Sequence, residues 1–344
     1  MVNPTINDRL AIFTWQGKNP PRLAGDFNNW DKESSLEFSR VKAQLWQLEL
    51  ELPMNAYMEY AFFADGKRIP DPLNPHSVNN GVGSRNHYFY MPLARPSEYA
   101  ALHRKKGQLT EFQITDAWGL IGGKRQVYFY QPAADGPMPL LVVLDGVDFL
   151  RRGRLVQIVD SLIAAGKMQP VALAMIQNAG AGRFVEYACN DAFTFSLMDK
   201  LIPAACDHLP IIDPRKQPGS CGILGASMGG TAAFFNGLRA PHIFGKVLAQ
   251  SSGFSIYNAD FSLVTLVKNL EKQPIKVWMD VGTFDFLLED NRRMQDLLTR
   301  AGYDFQYSEG CGGHNYTYWR NALPAGLQFL YPTQDQRSSN IAHL

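Results

Sequence analysis

Three residues of the chain, in the order serine, carboxylate, histidine, have neighbours that suit acyl-transfer chemistry. Gly225-Ala226-Ser227-Met228-Gly229 sets a serine among small residues where a short apolar run, 221–224, meets a helical run ending near residue 238. This G-x-S-x-G spacing fits a nucleophile elbow, in which glycines leave room for neighbouring backbone and a tight strand-to-helix turn lifts the hydroxyl clear of a sheet. The N–H of Met228 would then open a helix, where unpaired donors and the positive end of the dipole can hold a developing oxyanion. A base is available in Cys311-Gly312-Gly313-His314-Asn315-Tyr316, which puts His314 on a glycine loop before a terminal helix. The acid must follow the strand at 276–281. Asp285, in Gly282-Thr283-Phe284-Asp285-Phe286, lies in the loop after it, whereas Asp280 lies inside the strand and Glu289 and Asp290 suit the start of the next helix. A serine whose proton passes to a histidine oriented by a carboxylate forms and hydrolyses an acyl-enzyme.

Elements that could carry these residues alternate through the second part of the chain. Strands are expected at 126–130, 140–144, 171–176, 221–224, 246–250, 275–281 and 305–307, with helices at 155–165, 190–201, 227–238 and 291–301 between them. Such alternation predicts a parallel sheet covered by helices on both faces, the α/β-hydrolase pattern. With no G-x-G-x-x-G after the first strand and no P-loop, no nucleotide cofactor is expected. Leu144-Asp145-Gly146-Val147 ends a buried strand in a tight turn; the N–H of Val147 is the candidate second oxyanion donor, and Asp145, which precedes the serine, is expected to brace the turn. Arg151, Arg152 and Arg154 follow, and Arg183 opens Arg183-Phe184-Val185-Glu186. These guanidinium groups suit anionic oxygens of a substrate at the rim of a site; the plainer readings are a solvated face and an Arg183–Glu186 ion pair shaping its loop.

The first part alternates short β-type runs with turns, which predicts a small β-sandwich. A Pro-rich and charged stretch at about 92–108 divides the chain into domains 1–97 and 98–344. The string Ile69-Pro70-Asp71-Pro72-Leu73-Asn74-Pro75 should run extended as a rigid strap. Trp30 and Trp46 are expected to plug the sandwich, although tryptophan faces also stack on sugars. With 33 basic against 32 acidic residues the net charge is +1, which gives no reason to expect nucleic acid or an anionic membrane as a partner. The opening residues lack a signal core and no apolar run suits a bilayer span, so a cytoplasmic location is expected. Cys189, Cys206, Cys221 and Cys311 lack C-x-x-C spacing, which favours free thiols and implies no metal site.

The strings at 71–75, 144–146, 183–186, 225–230, 244–252, 282–285 and 313–316 resemble the enterochelin esterase family of α/β-hydrolases. Gly25-Asp26-Phe27-Asn28-Asn29-Trp30-Asp31, with Trp46, Tyr60 and Asp65-Gly66, is similar to the immunoglobulin-like N-terminal domains of glycogen-branching enzymes. The resemblance implies an α/β-hydrolase domain preceded by a small all-β immunoglobulin-like sandwich, and a serine esterase acting on a siderophore-type small-molecule ester. Two alternatives stay open. One is a feruloyl or acetyl carbohydrate esterase, its N-terminal domain making a weak glycan contact; the other is a glycan-binding scaffold without catalysis.

Overall fold

A computed structural model describes residues 2–31, 36–81, 83–103 and 105–333. The chain forms two compact units. The first joins Met1–Pro96 with two later segments, Gly282–Leu288 and Glu309–Tyr318; the second takes Ser97–Val281, Glu289–Ser308 and Trp319–Leu344. The first break falls between Pro96 and Ser97, and the two later segments belong to no linear division of the chain.

The first unit is an all-β sandwich. One sheet has the spatial order Thr5–Asn7, Leu10–Gln16, Leu45–Glu51, Ser39–Lys42, and the other Arg22–Gly25, Tyr57–Ala64, Arg85–Tyr90, Ser77–Asn79, with Lys67–Ile69 also paired to Tyr57–Ala64. Neighbouring strands in both are antiparallel. Alternation turns Ala11 and Phe13 of the first sheet inward, where Phe13 meets Tyr60, Phe62 and Phe89 of the second edge-on at 5.0, 6.4 and 5.7 Å. The proline-rich strap is tied down by buried polar groups: the Asp71 carboxylate accepts from Tyr60 Oη at 2.5 Å and Asn3 Nδ2 at 2.9 Å, and Asn74 donates to Tyr60 Oη. Of the two tryptophans expected to plug the sandwich, both half-buried, Trp46 meets its core and Trp30 a separate small cluster. Trp30 lies against Ala24, Ala61 and Phe63 beneath the Arg68 guanidinium, and Trp46 packs on the sandwich core and donates its indole N–H to the Gly17 carbonyl. Phe284 and Cys311, one from each later segment, also pack against this core.

The second unit is built on eight strands, named here β1 Gln108–Thr115, β2 Lys124–Gln131, β3 Leu140–Val143, β4 Ala172–Ile176, β5 Cys221–Ala226, β6 Phe244–Gln250, β7 Lys276–Phe284 and β8 Asp304–Gly313. Their spatial order is β1-β2-β4-β3-β5-β6-β7-β8. β1 and β2 are antiparallel, as are β2 and β4, while β4, β3, β5, β6 and β7 run parallel. β3, β4 and β5 are buried along their whole length, as strands covered on both faces must be. β1 begins at Gln108, where the linker was expected to end, and no strand was expected there. Helices Leu155–Ala164, Met228–Arg239, Leu288–Arg300 and Tyr316–Leu330 follow the expected positions. The helix expected at 190–201 is instead a short α-helix, Asp191–Ser196, a wider-turned segment, Leu197–Leu201, and a second helix, Ile202–His208. Among the described residues no helix is long and apolar enough to cross a membrane.

Candidate active site

β5 ends at Ala226 and the helix Met228–Arg239 begins two residues later, so the whole turn is Ser227. Its backbone sits at φ 58°, ψ −130°, a conformation that a non-glycine residue holds only when its surroundings impose it. The surroundings are close backbone. A Cβ on Gly225 would overlap the Gly229 carbonyl, and one on Gly230 would overlap the Ser252 hydroxyl, so larger residues there would open the turn. The Ser227 N–H donates to the Gln250 carbonyl at 2.9 Å, while its carbonyl accepts from Gly230 and Thr231 and starts the helix. The N–H of Met228, first in that helix, has no intrahelical acceptor by position and lies at the positive end of the dipole.

The turn after β3 is braced by Asp145, as the sequence suggested. Asp145 is buried in the left-handed region, at φ 53°, and its carboxylate takes both prongs of Arg183, at 2.7 and 2.6 Å, and the Asn178 amide at 2.7 Å. Its N–H donates to Tyr187 Oη, and Arg183 stacks over the Tyr187 ring. The Arg183–Glu186 pair is not formed: Glu186 is buried against Arg125 and accepts the Ile121 N–H. Burial holds the Glu186 carboxyl above its ordinary pKa, against the pull of that N–H and of the Arg125 charge. Val147 is the second residue of the short helix Gly146–Arg151, and a Cβ on Gly146 would overlap the Met175 backbone. Of the arginines beyond it, Arg152 pairs with Asp148 at 3.2 Å and Arg154 donates to the Ala100 carbonyl at 3.0 Å. Arg151 is exposed and has no partner among the described residues.

In the first unit, the loops after β7 and β8 bring an acid and a base together. Asp285 is 4% exposed, and its carboxylate lies 2.9 and 3.0 Å from His314 Nδ1 while also accepting the Leu287 N–H. A carboxylate on Nδ1 fixes the ring orientation and leaves Nε2 to exchange a proton. The other acids are engaged elsewhere. Asp280 is fully buried beneath Gln250 and Trp278; Asp290 accepts the N–H groups of Phe254 and Ser255; Glu289 pairs with Arg292.

Two side chains that the sequence reading passed over also meet this pair of loops. Phe286, 60% exposed, lies 4.6 Å from the His314 ring. Asp26, in the sandwich, accepts from the amide of Asn315 at 3.1 Å. An aromatic beside a loop acid was a weak signal for the first; nothing local signalled the second.

Residues 119–330 match the model of the putative esterase family. The chain belongs to that family. An iron(III) enterobactin esterase of Dickeya dadantii is 28% identical over 79% of this esterase-family chain and 67% of its own length, and an iron(III) salmochelin esterase of Escherichia coli is 24% identical over 96% and 89%. Among solved structures, the enterochelin esterase of Shigella flexneri superposes with a TM-score of 0.76 at 20% identity, covering 95% of this chain and 94% of its own, all-β N-terminal region included. A ferulic acid esterase superposes at 0.56 and 20% identity, covering 66% of this chain and 99% of its own. The likeness places the fold as an α/β-hydrolase domain preceded by an all-β domain, the class expected from the sequence.

Proposed function

We propose that the protein is a serine carboxylic-ester hydrolase working through an acyl-enzyme. The observation that carries this reading is Ser227, held at positive φ between β5 and a helix by glycines that leave no room for side chains. In the proposed mechanism His314, oriented by Asp285, takes the proton of Ser227 as the hydroxyl oxygen attacks the ester carbonyl. The N–H groups of Met228 and Val147 hold the oxyanion. His314 then returns the proton to the leaving alkoxide, and water, activated by the same imidazole, hydrolyses the acyl-serine. Ser227→Ala is expected to abolish turnover of a simple aryl ester while the protein stays folded, and surviving activity would show that the nucleophile is wrong.

For the substrate we propose a siderophore-type ester, the class named for the Dickeya and Escherichia relatives. Its anionic iron centre would meet Arg151, Arg152, Arg154 and Arg183, with Arg151 the one whose charge has no partner among the described residues. A cytoplasmic site of action fits an ester imported with its iron. The alternative, a feruloyl or acetyl glycan ester, draws on matches of partial coverage, among them the ferulic acid esterase fold, which leaves out about a third of the chain. Trp30 and Trp46 are both half-buried, with the Arg68 and Arg40 guanidinium groups over their rings, so neither presents an open aromatic face to a sugar. Hydrolysis of ferric enterobactin beside methyl ferulate and acetylated xylan, at low and raised salt, separates the two. The siderophore reading expects salt-sensitive cleavage of the ferric ester alone and a loss on Arg151→Ala; preference for the neutral esters contradicts it.

A further inference from the structure

A third carboxyl lies against the acid and base loops, and the hydrolytic mechanism makes no use of it. Asp26 directly follows the sandwich strand Arg22–Gly25 and is 2% exposed. Its Oδ1 accepts from Trp30 Nε1 at 2.9 Å, and its Oδ2 accepts the Glu59 N–H at 2.8 Å and Asn315 Nδ2 at 3.1 Å. Asn315 is the residue after His314, and its own Oδ1 accepts the Tyr318 N–H at 2.9 Å, capping the terminal helix. On the other side of His314, a Cβ on Gly313 would overlap the Asp26 carboxyl carbon. Both neighbours of His314 therefore rest on one buried acid. That acid is a poor choice for packing alone, because Glu59, 3% exposed, places a second carboxyl close to it.

We propose that Asp26 is a positioning residue for His314: the sandwich, through Asp26, fixes the main chain on both sides of the imidazole and so keeps the ring set on Asp285. The role rests on the esterase reading above, and makes the N-terminal domain part of the catalytic machinery rather than an appendage. Burial, then the Glu59 charge, with a smaller push from Asp285, holds the Asp26 pKa well above the usual carboxylate range. Removing its charge should therefore leave the fold intact.

The test is aryl-ester kinetics on Asp26→Asn, on Asn315→Asp, which keeps a helix-capping oxygen while breaking the link to Asp26, and on the double variant. Misplacing the base by a fraction of an ångström should lower kcat by roughly 10- to 100-fold in each single variant, with KM nearly unchanged. The double variant restores a donor–acceptor pair between positions 26 and 315, although the new amide also faces the Glu59 N–H, so its loss should be smaller than the two single losses combined. A kcat within about twofold of wild type in either single variant, a change in KM alone, or losses that simply add would overturn the role. Should Asp26→Asn fail to fold, Asn315→Asp decides alone by the same kcat criterion. Ser227→Ala run alongside separates the two readings: its residual turnover would sink the esterase reading, whereas a dead Ser227→Ala beside a fully active Asp26→Asn would sink only the positioning role.

Discussion

The nucleophile turn and the acid–base loops are assembled in different ways. Ser227 is shaped by its own neighbourhood: a buried strand, an immediate helix, and glycines that admit the backbone of residues four or five positions along. Asp285 and His314 sit on loops that belong to the same compact unit as the sandwich, and Asp26 is 289 residues from the Asn315 it holds. One half of the proposed chemistry is local and strained; the other depends on partners brought together by tertiary folding. A strained turn needs rigid packing beneath it, whereas a proton-transfer pair needs orientation, and long-range hydrogen bonds can supply orientation without strain.

Variants on each side can break or sharpen that contrast. The largest expected effect after loss of the nucleophile is Asp285→Asn, which should leave His314 in the wrong tautomer and lower kcat by about 10³- to 10⁴-fold with the fold unchanged, read by steady-state kinetics and thermal melting. Gly225→Ala acts on the local side. Its methyl must displace the Gly229 carbonyl, so denaturant melts should show a loss of about 1–3 kcal/mol together with lost activity. Ser227→Gly should do the reverse for stability, relieving the positive φ and raising the melting midpoint by an amount worth about 1 kcal/mol while abolishing turnover; no gain would mean that the turn is not strained.

The smallest effect is in pH dependence. Because the Asp26 pKa is raised in the folded protein, its contribution to stability is fully present below the unfolded value of about 4 and is lost as pH rises toward the folded value. Asp26→Asn lacks that loss, so its melting temperature should improve relative to wild type between pH 4 and neutrality. A difference that stays flat with pH would mean that no buried charge is being formed there.

The same contrast explains what could be read from the sequence. The elbow and the strands β3, β4 and β5 were legible because buried parallel strands are near-continuous apolar runs and the glycine spacing is local. β1 was not: Gln108–Thr115 is an edge strand with only Ile114 buried, and its mostly polar residues, just past the expected linker, gave no strand signal. Asp145, Arg183 and Glu186 were each singled out, but of the two readings of Arg183 the ion pair with Glu186 does not form, because Asp145 takes Arg183 and Glu186 takes Arg125 across loops far apart in the chain. Asp26 was read only as part of a tryptophan-containing turn. Its partners Glu59 and Asn315 become neighbours only when the strand pairings of the sandwich and the loop after β8 are known.

The central claim, a serine nucleophile at Ser227, is tested most directly by reaction with a fluorophosphonate and mapping of the adduct by peptide mass spectrometry. The account predicts a single stoichiometric adduct on Ser227, formed far more slowly in His314→Ala; an unmodified protein, or an adduct on any other residue, would contradict it.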